Sequence, residues 1–559
     1  MFTLLVIRFP LSLITRARTL LTRPPPPPQP ALPAYETPSS TRAELCELLS
    51  THSAIELATL IADASSPVTS VGLVEAAHSA LATPPVSSLN AVVAFRPYEE
   101  ALAEAWQVDT RVAAGLSSSL PEFAGVPTTI KECFAVQGMP HTSGVAAREG
   151  VVASADAPVV AGLKDAGFVV LGVTNVSEAC MWWEAHNGLY GATGNPYDPR
   201  RTCGGSSGGE AAVVGAGVML VGCTSDVGGS TRMPAVFNGV FGHKPSPGLV
   251  PNGGQYPLGD GETQHILATG PVARSVDDLL PMLRAMSSPA ARSAAETDPD
   301  SAHLWKAWRA SPPYAPLPEG PLPPVDFTRL RVISCTTRPF PIPGVVSRLS
   351  PPAADAHAAA VDALASLGAT VERKEYPEFA RALEMWSAKM AGARTTRFRD
   401  LIGVPEEDYI LSHLLECVLG LSHHTFPALM LALTEDVGSW FPESSAAATA
   451  RADEVSEALQ RELDTGGAQY DASVLVFPSF PTVAPYKGYT VFAPLDWVYT
   501  ALFNVLKLPV TQVPMGLDER TGMPVGVQVV VARGRDVLGL GVAKGLVEVG
   551  VGGWVPPRR

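Results

Sequence analysis

Two glycine clusters that flank serines are the strongest constraint on what this chain can fold into. The first, Gly204–Gly209, contains Ser206 and Ser207, and the second is Gly228-Gly229-Ser230. Glycine loses more backbone freedom on folding than any other residue, so such clusters are costly to order. They therefore predict backbone in conformations that other residues avoid, or N–H groups that closely approach something bound.

Composition predicts a globular protein and excludes a nucleic-acid partner. Hydrophobic residues make up 46% and charged residues 17% of the 559 residues, which suffices for a large core. The formal net charge is -14 and no block of lysines and arginines occurs, so we expect no polyanion to bind.

The cysteines and histidines predict neither a metal nor a cofactor. Seven cysteines are scattered without CxxC spacing, which indicates reduced thiols in an intracellular compartment. His423-His424 is the only adjacent histidine pair. Because neighbouring helical residues do not share a face, we expect this pair in the wall of an apolar region rather than on a metal.

The N-terminal residues differ from the rest of the chain. Residues 1–23 hold four arginines and no acid among apolar residues, and Arg8 and Pro10 interrupt the roughly 20 apolar residues that a membrane span requires. A membrane anchor, a transit peptide and a disordered tail all fit this pattern. The proline run Pro24–Pro28 predicts a stiff spacer. We expect a membrane-associating or targeting segment at 1–23, a linker at 24–48 and one domain at 49–559. The protein would be intracellular and membrane-associated, or directed to an organelle.

Strand and helix patterns alternate along the chain, which predicts an α/β core. Strands are expected at 89–95, 125–134, 168–173, 330–335, 369–375, 473–477 and 527–531. Helices are expected at 159–165, 276–286, 353–367, 379–398, 454–462 and 538–547. Residues 248–271 are rich in glycine and proline and are predicted to form a loop, and Pro281 is predicted to kink its helix.

Residues 287–324 are predicted to form an irregular surface segment that contains one helix, at 303–310.

The stretch 411–433 is strongly apolar but is interrupted by Gly420 and Pro427. It predicts a buried pair of core helices, or else the wall of a lipid-sized cavity or a membrane-facing cap.

Two familiar uses of a glycine cluster fit this sequence poorly. No segment supplies the G-x-x-x-x-G-K-[ST] loop that binds nucleotide phosphates. Gly204–Gly208 does match the G-x-S-x-G elbow of α/β-hydrolases, with Ser206 as the nucleophile. That interpretation requires a later Asp and His, and candidates such as His357, His413 and His424 lie in no motif. It also leaves the second glycine cluster unexplained.

A serine–lysine mechanism uses both clusters. A serine hydroxyl needs a base to become a nucleophile, and Lys131 lies in a predicted strand among apolar neighbours. Lysine is a base only when desolvation leaves it neutral, and two serines permit a proton relay. The N–H groups of Val227, Gly228, Gly229 and Ser230 could then form an oxyanion hole. The residues alone leave open that Lys131 is an ordinary strand lysine whose amine reaches water.

The segment from Gly204 to Pro247 resembles the signature of the amidase signature family of serine hydrolases. The shared pattern is GGSSGG, a helix of small residues, Asp-x-Gly-Gly-Ser-x-Arg and Lys-Pro. The stretches Thr174–Trp182, Arg232–Gly239, Phe241–Gly248 and Gly552–Val555 resemble the fatty-acid amide hydrolase branch of this family. The resemblance spans most of 55–557 and implies an α/β amidase signature fold, with a central twisted mixed sheet covered by helices on both faces.

The resemblance also implies a role for three residues. Ser230 would be the acyl-enzyme nucleophile, and Ser206 the bridging serine, preceded by a cis peptide bond. Lys131 would be the base, and afterwards the acid that protonates the leaving amine through Ser206. Ser206 would in addition contact the substrate.

Residue type and resemblance together indicate the substrate contacts and the activity. Cys180, Met181 and Trp182 are expected at the substrate. The aromatic and thioether side chains of Met181, Trp182 and Trp183, with the apolar stretch 411–433, are candidates for contacts with the acyl chain, and packing in the core is the alternative for each. The expected reaction is hydrolysis of a long-chain fatty-acid amide or N-acylethanolamine, without a cofactor, by a chain that would act alone or as a homodimer. The alternatives are a short-chain amidase, the A-type subunit of a glutamine amidotransferase, and a silent binding protein on the same fold.

Two positions depart from the family's pattern near the nucleophile. Thr224 stands where glycine is common, and Thr231 stands where isoleucine is usual. Neither is expected to touch the three reacting groups. Asp226 and Arg232 flank the nucleophile and are expected to pair and hold its loop.

Overall fold

A central sheet of eleven strands organises the chain in the computed structural model. The structure describes residues 39–558 except 260, 262, 299–301, 304, 306–313, 315, 341–344, 392–395, 439–441 and 466–470. In the sheet the strand order is β1-β3-β2-β6-β8-β7-β12-β13-β11-β9-β10, and a separate two-stranded sheet pairs β4 with β5. The strands are β1 Val92–Phe95, β2 Pro127–Lys131, β3 Val169–Thr174, β4 His186–Asn187, β5 Gly191–Ala192, β6 Val221–Asp226, β7 Phe241–Lys244, β8 Ala268–Ala273, β9 Leu330–Ser334, β10 Thr370–Arg373, β11 Ala472–Pro478, β12 Val510–Leu517 and β13 Pro524–Val530.

Helices precede, connect and follow these strands. They are α1 Ser39–Thr51, α2 Ala54–Ala62, α3 Ser70–Ala82, α4 Tyr98–Ala113, α5 Pro158–Asp165, α6 Gly208–Gly215, α7 Arg232–Phe237, α8 Thr263–Ile266, α9 Leu279–Met286, α10 Pro289–Thr297, α11 Pro351–Ser366, α12 Ala382–Ala391, α13 Phe398–Leu401, α14 Ile410–Val418, α15 Phe426–Gly438, α16 Pro442–Thr465, α17 Val498–Val505 and α18 Asp536–Glu548.

Helices cover the sheet on both faces, because alternate residues of its strands enter two different cores. In β11, Val474 and Val476 belong to the larger core, whereas Leu475 and Phe477 belong to a second core. Side chains alternate between the faces of a strand, so both faces are buried. The sheet is also mixed, since β2 pairs in parallel with β3 and β6 while β6 pairs antiparallel with β8. The predicted fold class is confirmed.

The loop predicted at 248–271 is wrong in its second half. Thr263–Ile266 is helical, and Ala268–Ala273 forms β8 between β6 and β7. Gly270 and Pro271 are local signals for a turn, but the neighbouring strands determine the conformation here. A Cβ on Gly270 would overlap the carbonyl of His243, so the glycine allows close strand pairing.

Two further local predictions need correction. Pro281 lies in the first turn of α9, where a missing N–H breaks no helical hydrogen bond, so it causes no kink. The predicted irregular surface segment at 287–324 contains helix α10. The helix predicted at 303–310 lies largely outside the described residues.

The apolar stretch 411–433 forms α14 and α15, and it is not a buried helix pair. Leu411 is 67% and Val418 75% exposed on α14. On the inner side, Leu429 and Ala432 of α15 are buried in a small core of their own. The other two interpretations, a cavity wall and a membrane-facing cap, are both compatible with this arrangement.

The predicted domain boundary at 48/49 falls inside helix α1. Leu45 and Leu49 of this helix are buried in the larger core, so the part of α1 that contains them packs on the domain rather than forming a linker. The predicted segment 1–23 and the proline run lie outside the described residues. Within the described part of the chain, no helix combines the length and the apolar character needed to cross a bilayer.

Candidate active site

Lys131 ends strand β2 in the interior of the protein. The whole strand is buried and Lys131 is 0% exposed. Its Nζ donates to Ser206 Oγ at 2.8 Å, to Ser225 Oγ at 2.9 Å and to the Ser225 carbonyl at 3.4 Å. The interpretation of a strand lysine whose amine reaches water is therefore wrong.

Ser206 lies in the first glycine cluster, two residues before helix α6 begins at Gly208. The peptide bond between Gly205 and Ser206 is cis, as the resemblance implied. A Cβ on Gly205 would lie 2.6 Å from Ser177 Oγ and 2.7 Å from the Trp182 carbonyl. Only glycine fits at this position without displacing its neighbours.

The elbow interpretation of this cluster finds no support in the contacts of Ser206. Its hydroxyl is bonded to a lysine amine, and no histidine in the described part of the chain hydrogen-bonds to it. Ser206 also follows an irregular segment rather than the strand that an elbow requires.

A fully buried ion pair holds the loop of Ser230. Arg232 Nε donates to Asp226 Oδ2 at 2.9 Å, and both side chains are 0% exposed. Burial alone would raise the pKa of Asp226, but the charge and hydrogen bonds of Arg232 outweigh it and lower the pKa to about 2. The expected pairing of Asp226 and Arg232 is confirmed.

The predicted oxyanion hole changes in composition. The Gly229 N–H donates to Asp226 Oδ1 at 2.6 Å, so it is occupied within the loop. Among the hydrogen bonds of the described residues, none uses the N–H of Val227, Gly228 or Ser230. These three groups, and not Gly229, remain available to an incoming oxyanion.

Ser230 lies where two cavities meet, each of about 390 Å³. The first has a mixed lining that includes Cys133, Ser206, Ser225, Gln255 and Tyr256. The second is apolar and is lined by Trp182, Trp183, Met233, Trp386, Phe426, Met430, Leu431 and Trp497, among others. Cys180, Met181, Val227 and Ser230 line both cavities.

The structure therefore brings the predicted site residues together. Lys131 and Ser206 are hydrogen-bonded, and Ser206 shares the mixed cavity with Ser230. The Ser207 N–H donates to the Ser230 carbonyl at 3.3 Å. In the described structure, no hydrogen bond joins the Ser206 and Ser230 hydroxyls. Each of the predicted substrate contacts, Cys180, Met181, Trp182 and Ser206, lines at least one cavity.

Two residues of the site were not predicted. Ser225 is the second hydroxyl bonded to Lys131. It could have been found from the parallel neighbours β2 and β6, whose carboxyl ends lie at one edge of the sheet. Trp386 donates from Nε1 to the Val227 carbonyl at 3.0 Å, and no local signal marks it.

The histidine pair is linked to this site through Glu178, which lies 2.8 Å from His424 Nδ1. Within the described part of the chain, no group of three His, Cys, Asp or Glu side chains is arranged to hold a metal. All seven cysteines are free thiols.

Comparison with known proteins agrees with this geometry. The family model described as Amidase matches residues 86–540. The chain is 39% identical to fatty-acid amide hydrolase 2-A of Danio rerio over 487 residues, and 38% identical to fatty-acid amide hydrolase 2 of Homo sapiens over 485 residues. Each match covers 84% of both chains. It is also 30% identical to the A-type subunit of a glutamyl-tRNA(Gln) amidotransferase from Picosynechococcus over 444 residues, 77% of this chain and 85% of that protein.

Solved structures share the fold. A 6-aminohexanoate cyclic dimer hydrolase complexed with its substrate superposes with a TM-score of 0.67 at 26% identity, over 89% of this chain and 96% of that one. A fatty acid amide hydrolase superposes with a TM-score of 0.66 at 20% identity, over 93% and 92%. This chain belongs to the amidase signature family and is an amide hydrolase.

Proposed function

We propose that this amidase hydrolyses long-chain fatty-acid amides, such as N-acylethanolamines, through an acyl-Ser230 intermediate. The observation that carries the proposal is the position of Ser230 at the mouth of an apolar cavity. Two named relatives are fatty-acid amide hydrolases. The cavity volume lies within the range of about 300–1,000 Å³ that is usual for small-molecule sites.

In the proposed acylation step, Ser230 Oγ attacks the amide carbon. Its proton passes to Ser206 Oγ while Ser206 gives its own proton to Lys131 Nζ, which must be neutral before attack. Ser206 and Lys131 are already in contact at 2.8 Å. The contact between Ser206 and Ser230 is expected to form when substrate is bound, since catalytic hydrogen bonds often tighten in the complex.

The negative charge on the former carbonyl oxygen is stabilised by the loop before the nucleophile. The N–H groups of Val227, Gly228 and Ser230 are free to donate to it. As the C–N bond breaks, Lys131 returns the proton through Ser206 to the departing nitrogen, which leaves as a neutral amine. Water then attacks the Ser230 ester by the same relay and releases the fatty acid.

The apolar cavity is the proposed acyl site, and the mixed cavity is the proposed amine site. Trp386 and Trp497 give the apolar cavity a wall without charged groups, which favours a hydrocarbon chain. Gln255 and Ser225 supply polar atoms in the mixed cavity, which suit an amine with a hydroxyl group.

We further propose that the outer face of α14 contacts the lipid surface from which the substrate enters. Leu411, Leu415, Val418 and Leu419 are exposed on this face. Phe426, which begins α15, is partly exposed and also lines the apolar cavity, so it reaches both the protein surface and the proposed acyl site. Residues 1–23 would add a second attachment to the membrane in the first of their three interpretations, that of an anchor.

Two measurements test the proposed function. Hydrolysis of palmitoyl and butyryl amides of ethanolamine should show a preference for the long chain, whereas a general amidase would prefer the short one. Glutamine as the only efficient substrate would instead indicate an amidotransferase component.

Labelling with a fluorophosphonate tests the nucleophile. Ser230→Ala should abolish labelling and Ser206→Ala should slow it. Labelling that persists in Ser230→Ala but disappears in Ser206→Ala would establish the elbow mechanism and refute ours.

A further inference from the structure

A buried carboxylate joins the loop beside Ser230 to the helix that forms one wall of the apolar cavity. The loop contains the 3-10 turn Glu178–Cys180, and Cys180 lines both cavities with Ser230. Glu178 is 2% exposed and is not among the lining residues of either cavity. Its side chain is therefore placed to act on the site through a neighbour rather than on substrate.

Both oxygens of Glu178 contact the start of helix α15. Oε2 accepts the Thr425 N–H at 2.6 Å, and Oε1 lies 2.8 Å from His424 Nδ1. A carboxylate can only accept, so the imidazole donates from Nδ1. The N–H groups at the start of a helix have no acceptor within the helix, and Glu178 supplies one from the active-site loop.

Helix α15, which Glu178 contacts, also forms part of the wall of the apolar cavity. Phe426 and Pro427, which follow Thr425 directly, line that cavity, as do Met430 and Leu431 one turn later. The Glu178 side chain thus supplies the polar attachment between the first turn of α15 and the loop beside Ser230, while Ala179 of that loop packs in one small core with Ala428 and Leu429.

The residues around the contact between Glu178 and His424 are closely packed. The His413 ring lies 5.6 Å from the His424 ring in an edge-to-face arrangement. A Cβ on Gly188 would overlap the His423 carbonyl, so the loop after β4 also packs against the histidine pair. The pair His423-His424 is therefore the junction between the active-site loops and α15.

We propose that Glu178 is a positioning residue that fixes the α15 wall relative to Ser230 and thereby selects for long acyl chains. The inference rests on the proposed function, because it takes the apolar cavity as the acyl site. Loss of Glu178 would remove the two polar contacts at the start of α15, make this part of the cavity wall less well fixed and weaken the binding of a long acyl chain. Lys131, Ser206 and Ser230 would keep their places, so short substrates would still react.

The chain offers a matched control in Asp278. This buried carboxylate accepts the Ala54 N–H at 2.9 Å and the Ile55 N–H at 3.1 Å, at the start of helix α2. It lines neither cavity. Asp278→Ala therefore removes the same kind of contact from a helix that has no part in the acyl site.

Steady-state kinetics on palmitoyl and butyryl p-nitroanilides test the proposal. Glu178→Ala should raise KM for the palmitoyl substrate at least about tenfold, and change kcat and KM for the butyryl substrate less than about threefold. Glu178→Gln keeps an oxygen for the Thr425 N–H and should restore most of the selectivity. His424→Ala deletes one of the two contacts and should lie between them.

Asp278→Ala should lower the melting temperature without changing the ratio between the two substrates. Equal losses on both substrates in Glu178→Ala, or the same loss of selectivity in Asp278→Ala, would overturn the inference.

Hydrogen exchange separates this inference from the proposed function. The amide hydrogens of Thr425, Phe426, Ala428 and Leu429 should exchange faster in Glu178→Ala than in the wild type, and at the wild-type rate in Asp278→Ala. A wild-type enzyme without a preference for palmitoyl substrate would refute the proposed function instead. The exchange result would then decide on the positioning role, which unchanged exchange overturns and faster exchange supports.

Discussion

Thr224 and Thr231 are hydrogen-bonded to each other, with their Oγ1 atoms 2.7 Å apart. They are the two positions near the nucleophile that depart from the pattern of the family. Thr224 Oγ1 also donates to the Gly270 carbonyl at 2.7 Å, so the Thr231 hydroxyl must donate to Thr224. The two departures therefore form one interaction, which ties the nucleophile loop to strands β6 and β8.

This pairing predicts non-additive effects. Thr224→Val leaves the buried Thr231 hydroxyl without its acceptor and should lower the free energy of unfolding by about 1–3 kcal/mol. Adding Thr231→Val removes the hydroxyl that lacks an acceptor. The double variant should therefore lose about 0.5–2 kcal/mol less free energy of unfolding than the two single variants lose together. Urea unfolding of the four proteins measures this difference. Strictly additive effects would show that the hydrogen bond carries no coupling.

The two glycines before Ser230 should respond differently to alanine. Gly229 has φ +118°, and a Cβ there would overlap Thr500 Oγ1. A Cβ on Gly228 would meet nothing closer than 3.6 Å, and alanine keeps the N–H. Gly229→Ala should displace the loop and with it the donors of the oxyanion hole, so it should lower kcat by about 100-fold or more. Gly228→Ala should leave kcat within about fivefold of the wild-type value. Similar losses in both would contradict the assigned geometry.

Removal of the proposed base should have an effect that depends on pH. Lys131→Ala should slow fluorophosphonate labelling by about 10²- to 10⁴-fold near neutral pH. The difference in labelling rate between Lys131→Ala and the wild type should become smaller at high pH, because hydroxide can then take the proton from Ser230. Lys164→Ala, which removes a lysine that lines neither cavity, should follow the wild-type profile. A loss of the same size at every pH would argue that Lys131 has only a structural role.

Glu210 should make the protein less stable as the pH rises. This buried side chain accepts from Thr129 Oγ1 at 2.9 Å and from Thr174 Oγ1 at 2.5 Å, and burial raises its pKa from 4.5 to about 7. Folded chain holds the proton that unfolded chain releases in this window. The contribution of Glu210 to stability is therefore complete below pH 4.5, declines up to about pH 7 and is constant above.

Glu210→Gln should remove the share of the pH dependence that Glu210 contributes, so its stability should fall less than that of the wild type over this range, while Glu56→Gln on helix α2 should follow the wild type. Free energies of unfolding in urea at several pH values from about 4.5 to 8 measure the effect. Parallel curves for wild type and Glu210→Gln would show that the carboxyl does not titrate in this window. Asp226 acts in the opposite sense, since its pKa is lowered to about 2, and its contribution is lost only as the pH falls through its unfolded value of about 3.9 towards 2.

Local sequence predicted those elements whose pattern is set by burial alone. Strand β3 and helix α5 fall where apolar periodicity placed them, because both faces of the strand and one face of the helix are buried. Strand β8 was missed, since Gly270 and Pro271 are turn residues by propensity. Only pairing with β6 and β7, from distant parts of the chain, makes them extended.

The same limit applies to the site. Motif and resemblance named Lys131, Ser206 and Ser230. In the structure Ser206 and Ser230 line one cavity, and Lys131 lies behind Ser206, to which it is hydrogen-bonded. Ser225 escaped notice because its contact with Lys131 joins residues 94 positions apart across two strands. The donor set of the oxyanion hole also depends on a contact within the loop, from the Gly229 N–H to Asp226, which composition does not reveal.

The meeting of two cavities at Ser230 has a consequence for the order of turnover. On the proposed assignment, the amine departs through the mixed cavity while the acyl chain stays held in the apolar one. Water then enters by the space that the amine has left. The first product must therefore be the amine and the last the fatty acid, and an added nucleophile such as methanol would intercept the ester from the amine side without displacing the chain.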